Sequence, residues 1–69
     1  MIRYGRVRWF NKHFGYGFIA AEDGQDVFVH NSVIPPDEKG WRGLQRGVKV
    51  EYMREATDEG LRVTELTVL

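Results

Sequence analysis

Tyr16, Phe18, Phe28 and His30 are the side chains of this sequence best suited to hold a partner, and their spacing is the reason. They occupy alternate positions of two short runs, Gly15-Tyr16-Gly17-Phe18-Ile19 and Asp26-Val27-Phe28-Val29-His30. Alternate side chains of a strand share a face. Each run therefore sorts its flat rings to one side, and Gly17, Ile19, Val27 and Val29 to the other. An exposed row of rings is a stacking surface: each unpaired nucleobase laid on an aromatic side chain contributes about 1–3 kcal/mol, with little regard for which base it is. Bases in a duplex are already stacked and hidden, so such a surface selects single strands.

The element that must position these rings is a hairpin. Ala20-Ala21-Glu22-Asp23-Gly24-Gln25 joins the two runs, and its Asp-Gly pair favours the positive φ of a tight turn. With Asp23-Gly24 at the tip, Phe18 lies opposite Phe28 and Tyr16 opposite His30. A small domain buries only one face of such a ribbon. Rings inside is the usual fate of large aromatics. Rings outside suits His30, which prefers a polar setting, and suits the compact aliphatic row of Ile19, Val27 and Val29. Gly15 and Gly17 also fall on the aliphatic side, where a strand bends or lets another backbone come close.

Residues 2–11 are rich in β-branched and aromatic side chains and read as a strand, with Gly5 as its bend or bulge. Trp9 extends the ring row. Phe10, its neighbour, points to the opposite face under strict alternation and needs a local twist to join. Asn11 to Phe14 turn the chain into the hairpin, with His13 in solvent. After the hairpin, Asn31-Ser32-Val33-Ile34 forms one helical turn capped by Asn31 or Ser32, and Pro35-Pro36 ends it. Pro35 to Gly47 is a loop in which Trp41 either plugs a core gap or stands on the surface. Val48 to Glu55 is a strand with Val48, Val50 and Tyr52 inward, residues 56–60 turn, and residues 61–69 supply the last strand. Five short strands without an amphipathic helix predict one all-β domain over 1–69, a small five-stranded antiparallel barrel of OB-fold type. Its ligand face lies around strands two and three.

Composition bounds the chemistry. The chain has no cysteine, hence no disulfide, no thiolate metal site and no cysteine nucleophile. Its formal net charge is zero, which excludes binding by bulk charge, but the charges are polarised. Arg3, Arg6, Arg8 and Lys12 all precede the first acid, Glu22, whereas Glu51, Glu55, Asp58, Glu59 and Glu65 outnumber Lys49, Arg54 and Arg62 near the end. Arg8 and Lys12 are therefore the candidate phosphate contacts, and few cations imply a shallow salt dependence. No residues assemble into a catalytic constellation, a metal site or a phosphate-cradling loop, so no enzyme, cofactor or small-molecule substrate is expected. No apolar run is long enough for a membrane span, and the start lacks the apolar core of a signal peptide; a cytoplasmic monomer is the expectation. Two functions remain: a binder of single-stranded RNA or DNA, or a small barrel that docks protein through Trp9, Trp41 and the ring row.

Gly5-Arg6-Val7-Arg8-Trp9-Phe10-Asn11, Gly15-Tyr16-Gly17-Phe18-Ile19 and Asp26-Val27-Phe28-Val29-His30 resemble the first strand and the two RNP motifs of the bacterial cold-shock proteins. Gly40-Trp41-Arg42-Gly43-Leu44 is similar to that family's loop with an aromatic after glycine. The resemblance spans essentially the whole chain. It implies exposed rings that bind single-stranded RNA or DNA, a role as RNA chaperone or regulator of transcription or translation, and binding roles for Arg8, Trp9, Phe10, Phe18, Phe28, His30 and Trp41. Tyr16 stands where a phenylalanine is usual. Three departures bear on affinity. Phe14 takes the place of a common lysine, Asn31 replaces an aromatic after the histidine, and the Pro35-Pro36 loop is about two residues longer than the family pattern implies. Together they predict weaker binding, or a shorter site, than a standard member has.

Overall fold

β1 (Arg3–Asn11), β2 (Tyr16–Ala21) and β3 (Asp26–His30) form an antiparallel meander in the computed structural model, which describes all of residues 1–69. A single 3-10 turn, Asn31–Val33, and an irregular loop lead to β4 (Lys49–Thr57) and β5 (Gly60–Val68), which pair with each other along their length. The sheet closes in the order β1-β2-β3-β5-β4. A closed ring with an odd number of strands cannot be antiparallel throughout. The mismatch falls between β3 and β5, which meet in parallel through the short pairing of Phe28 with Arg62; the other four ladders are antiparallel.

The hairpin register is the expected one, with Phe18 opposite Phe28 and Tyr16 opposite His30. Gly24, at φ +87°, makes the turn. Ile19, Val27 and Val29 are fully enclosed, and with Val7, Ile34, Leu44, Val50, Tyr52, Val63 and Leu66 they make up the core. Val50 and Tyr52 point inward as the alternation of β4 requires, and Val48 packs against the core from a half-buried position. The hairpin tip is tied to β4 by Asp23, whose carboxylate accepts a 2.7 Å hydrogen bond from Arg54 Nη2 and lies 3.7 Å from Arg3.

Two local expectations are corrected. Gly5 is not the site of a bulge, since it pairs in register with Ala21 and Val50. It is buried where the β1–β2 ladder brings the two backbones close together, and a Cβ there would lie 2.6 Å from the carbonyl oxygen of Ala20. The irregularity in β1 comes later, between Val7 and Trp9, where Arg8 is the extra residue. A bulge of this kind shifts every following side chain to the other face, so Trp9 pairs with Phe18 and Phe10 with Gly17. The second correction concerns the 3-10 turn: its cap is His30, whose side chain accepts the Ser32 amide, rather than Asn31 or Ser32.

Candidate nucleic-acid interface

The bulge at Arg8 builds the site. By turning Trp9 outward it places the indole beside two hairpin rings, with centroids 5.6 Å from Tyr16 and 5.5 Å from Phe18. Phe28 completes the group at 5.9 Å from Tyr16, nearly parallel to it at 28°, and at 5.8 Å from Phe18. These separations lie within the range of favourable ring pairs. The four rings therefore brace one another from the side: Trp9 is 39% exposed, and Tyr16, Phe18 and Phe28 are half-buried with their inner neighbours fully enclosed. Tyr16, Phe18 and Phe28 sit on the outer face of the barrel, as the aliphatic row demands. Phe10 is not joined to them. The same bulge turns it toward Gly17 and the core, where it is half-buried.

His30 ends the row opposite Tyr16, exposed and oriented by Ser32. Its Nδ1 accepts the Ser32 backbone N–H at 3.1 Å and lies 2.9 Å from Ser32 Oγ. An amide N–H can only donate, so Nδ1 of the neutral ring is the unprotonated nitrogen and Nε2 carries the hydrogen. The solvent-facing nitrogen is a donor, suited to a base carbonyl or a phosphate oxygen.

Charge frames the rings. Arg8 is half-exposed and donates from Nε to Asp26 Oδ1 at 2.8 Å, so its charge is partly neutralised beside the platform. Lys12 is drawn the other way, its ammonium 5.7 Å from the centre of the Trp41 ring. The loop that carries Trp41 is ordered by Asp37, whose Oδ1 accepts the amides of Lys39 at 2.8 Å and Trp41 at 2.9 Å. The indole folds back over Gly43, where a Cβ would lie 2.1 Å from ring carbon Cζ2. Trp41 is 38% exposed, so of the two sequence alternatives the surface position is the one adopted. The loop brings its ring within reach of Lys12, on the turn between β1 and β2.

Sequence reasoning missed Arg62 and the restraining role of Asp26. Arg62 is the β5 partner of Phe28 and forms an exposed ion pair with Glu55 at the edge of the row. No local pattern could have indicated this, because the pairing of β3 with β5 joins distant parts of the chain. Aromatic faces, one oriented donor and a few tethered cations can stack unpaired bases and contact phosphates. They offer no group placed to form or break bonds.

The family described as 'Cold-shock' DNA-binding domain matches residues 3–69. Cold shock protein 1 of Lactiplantibacillus plantarum is 49% identical over 59 residues, 86% of each chain. Cold shock-like protein CspC of Bacillus cereus is 54% identical over 48 residues, 70% of this chain and 71% of its own. The Major cold shock protein of Streptococcus pyogenes serotype M1 is 42% identical over 65 residues, 94% of each chain.

Proposed function

The chain belongs to the cold-shock domain family, whose members bind nucleic acids and are not enzymes, and from that premise we propose that it holds single-stranded RNA or DNA on the rings of Trp9, Tyr16, Phe18 and Phe28. The observation that carries the reading is the contiguous ring cluster on the outside of the hairpin, opposite a fully enclosed aliphatic row. Bases stack on the rings in succession, and His30 donates from Nε2 to an oxygen of the strand. Arg8 and Lys12 meet phosphates, with Trp41 extending the surface beyond the hairpin.

Binding energy comes mainly from stacking, because Asp26 already occupies Arg8 and the net charge is zero. A complex built this way is tolerant of sequence and only weakly dependent on salt. In a cell it acts as an RNA chaperone: a few stacked bases offset local unpairing, and rapid release leaves transcripts open to translation. No helix of the chain is long and apolar enough to cross a membrane, and the expected working form is a monomer.

Replacing Phe28 by alanine tests the assignment. Affinity for a short pyrimidine-rich oligonucleotide, followed by tryptophan fluorescence, is expected to fall by about 1–3 kcal/mol while the protein stays folded. Unchanged affinity would remove Phe28 from the interface, and a wild-type protein silent toward oligonucleotides of every composition would favour a protein-docking patch.

A further inference from the structure

Phe14 is more exposed than any other phenylalanine, tyrosine or tryptophan, at 69%, yet it sits on a firmly held turn. Its own amide donates to Asn11 Oδ1 at 3.0 Å, the next amide donates to the Asn11 carbonyl at 2.8 Å, and the Gly15 carbonyl accepts the Asn31 amide at 2.8 Å. The edge of His13 steadies the ring, with centroids 4.9 Å apart at 81°. Gly15 has φ +73°, and the side chain of Asn31 fills the space beside it: a Cβ on Gly15 would lie 2.4 Å from Asn31 Nδ2. The Asn31 side-chain amide makes no hydrogen bond within the chain. An exposed ring and an uncommitted amide thus flank Gly15, the ring on the residue before it and the amide packed beside it.

We propose that Phe14 and Asn31 form a subsite for one further unpaired nucleobase, stacked on the Phe14 ring and bonded along its edge by the Asn31 amide. The inference rests on the reading of the ring row as a single-strand platform. Continuity supports it, since the last pairs of the adjoining ladders, Asn11 with Tyr16 and Tyr16 with His30, place this turn where the row ends. An amide offers a donor and an acceptor side by side, and the N6 and N7 edge of adenine is one that it can meet with two bonds at once. A turn already held by these hydrogen bonds has little backbone freedom left to lose on binding, which favours affinity. The resemblance alone counts Asn31 as a lost stacking position; the geometry points to that position being regained from the preceding turn.

The test is a length series of oligothymidylates from about four to about ten nucleotides, bound to wild-type protein and to the F14A, N31A and F28A variants. Wild-type affinity should rise with length to a plateau. F14A should reach its plateau one nucleotide earlier, about tenfold or more weaker there, and match wild type on the shortest strands. Moving a single adenine along the plateau-length strand should reveal one position of preference, absent in N31A. F14A coinciding with wild type at every length, while F28A weakens all lengths, would overturn the subsite and leave the platform standing. A wild-type protein that binds none of the strands would overturn both. Adenine preference surviving in N31A would remove the edge contact.

Discussion

The two faces of the central hairpin share ten residues of paired strand and differ in everything that matters for function. Inward, Ile19, Val27 and Val29 have no exposed surface. Outward, Tyr16, Phe18 and Phe28 keep part of each ring in water while leaning on Trp9 and one another. On the function proposed above, one ribbon carries stability on one side and recognition on the other, and the two should be separable by substitution. The separation explains how so short a chain keeps large apolar rings at its surface: the barrel does not depend on them for its interior.

The largest effect should come from the inner face. Ile19→Ala removes a fully buried side chain, a loss of about 2–5 kcal/mol. A domain of this size has a net stability of about 3–5 kcal/mol, so a urea melt followed by circular dichroism should find the variant largely unfolded. Phe18→Ala on the outer face should leave a cooperative melt and weaken oligonucleotide binding by about 1–3 kcal/mol. If both substitutions unfolded the chain equally, the two faces would not be distinct.

A third prediction concerns the scaffold alone. The hydrogen bond from Arg54 holds the Asp23 carboxyl down to about 2, with the Gln25 amide assisting. A depressed carboxyl stabilises the fold at pH above its unfolded value near 3.8 and loses that contribution as pH falls toward 2. Arg54→Met should therefore reduce stability at neutral pH and flatten its dependence on pH between those values, with oligonucleotide affinity unchanged. The smallest effect belongs to the rim. Asp26→Asn frees Arg8, and exposed ion pairs of this kind are worth about 0–1 kcal/mol. Binding should tighten within that range and its salt dependence should steepen by about one phosphate contact.

What the sequence discloses follows from how local each feature is. The alternation of Tyr16, Phe18, Phe28 and His30 against Ile19, Val27 and Val29 is a short-range pattern that sorts the rings to one face, and the Asp23-Gly24 turn sets the register; which face looks outward is decided by the closed barrel, whose interior takes the aliphatic row. Trp9 and Phe10 are harder, because a bulge at Arg8 reverses their faces and no residue type announces it. Gly5 shows the converse error: a glycine inside a strand suggests a bulge, but here it sits in regular pairing and lets the backbone of Ala20 come close. The pairing of Phe28 with Arg62 and the tie from Asp23 to Arg54 join segments far apart in the chain, so they lie beyond any local reading. The helical turn after β3 was legible, its cap by the His30 ring was not, because histidine is outside the usual capping residues.

The most direct test of the central claim is the proton spectrum of the free protein and of its mixture with an oligothymidylate. The account predicts that ring protons of Trp9, Tyr16, Phe18 and Phe28 shift strongly on addition of the strand, while methyl resonances of Ile19, Val27 and Val29 stay nearly still. Shifts concentrated on β4 and β5, with those four rings unmoved, would contradict it.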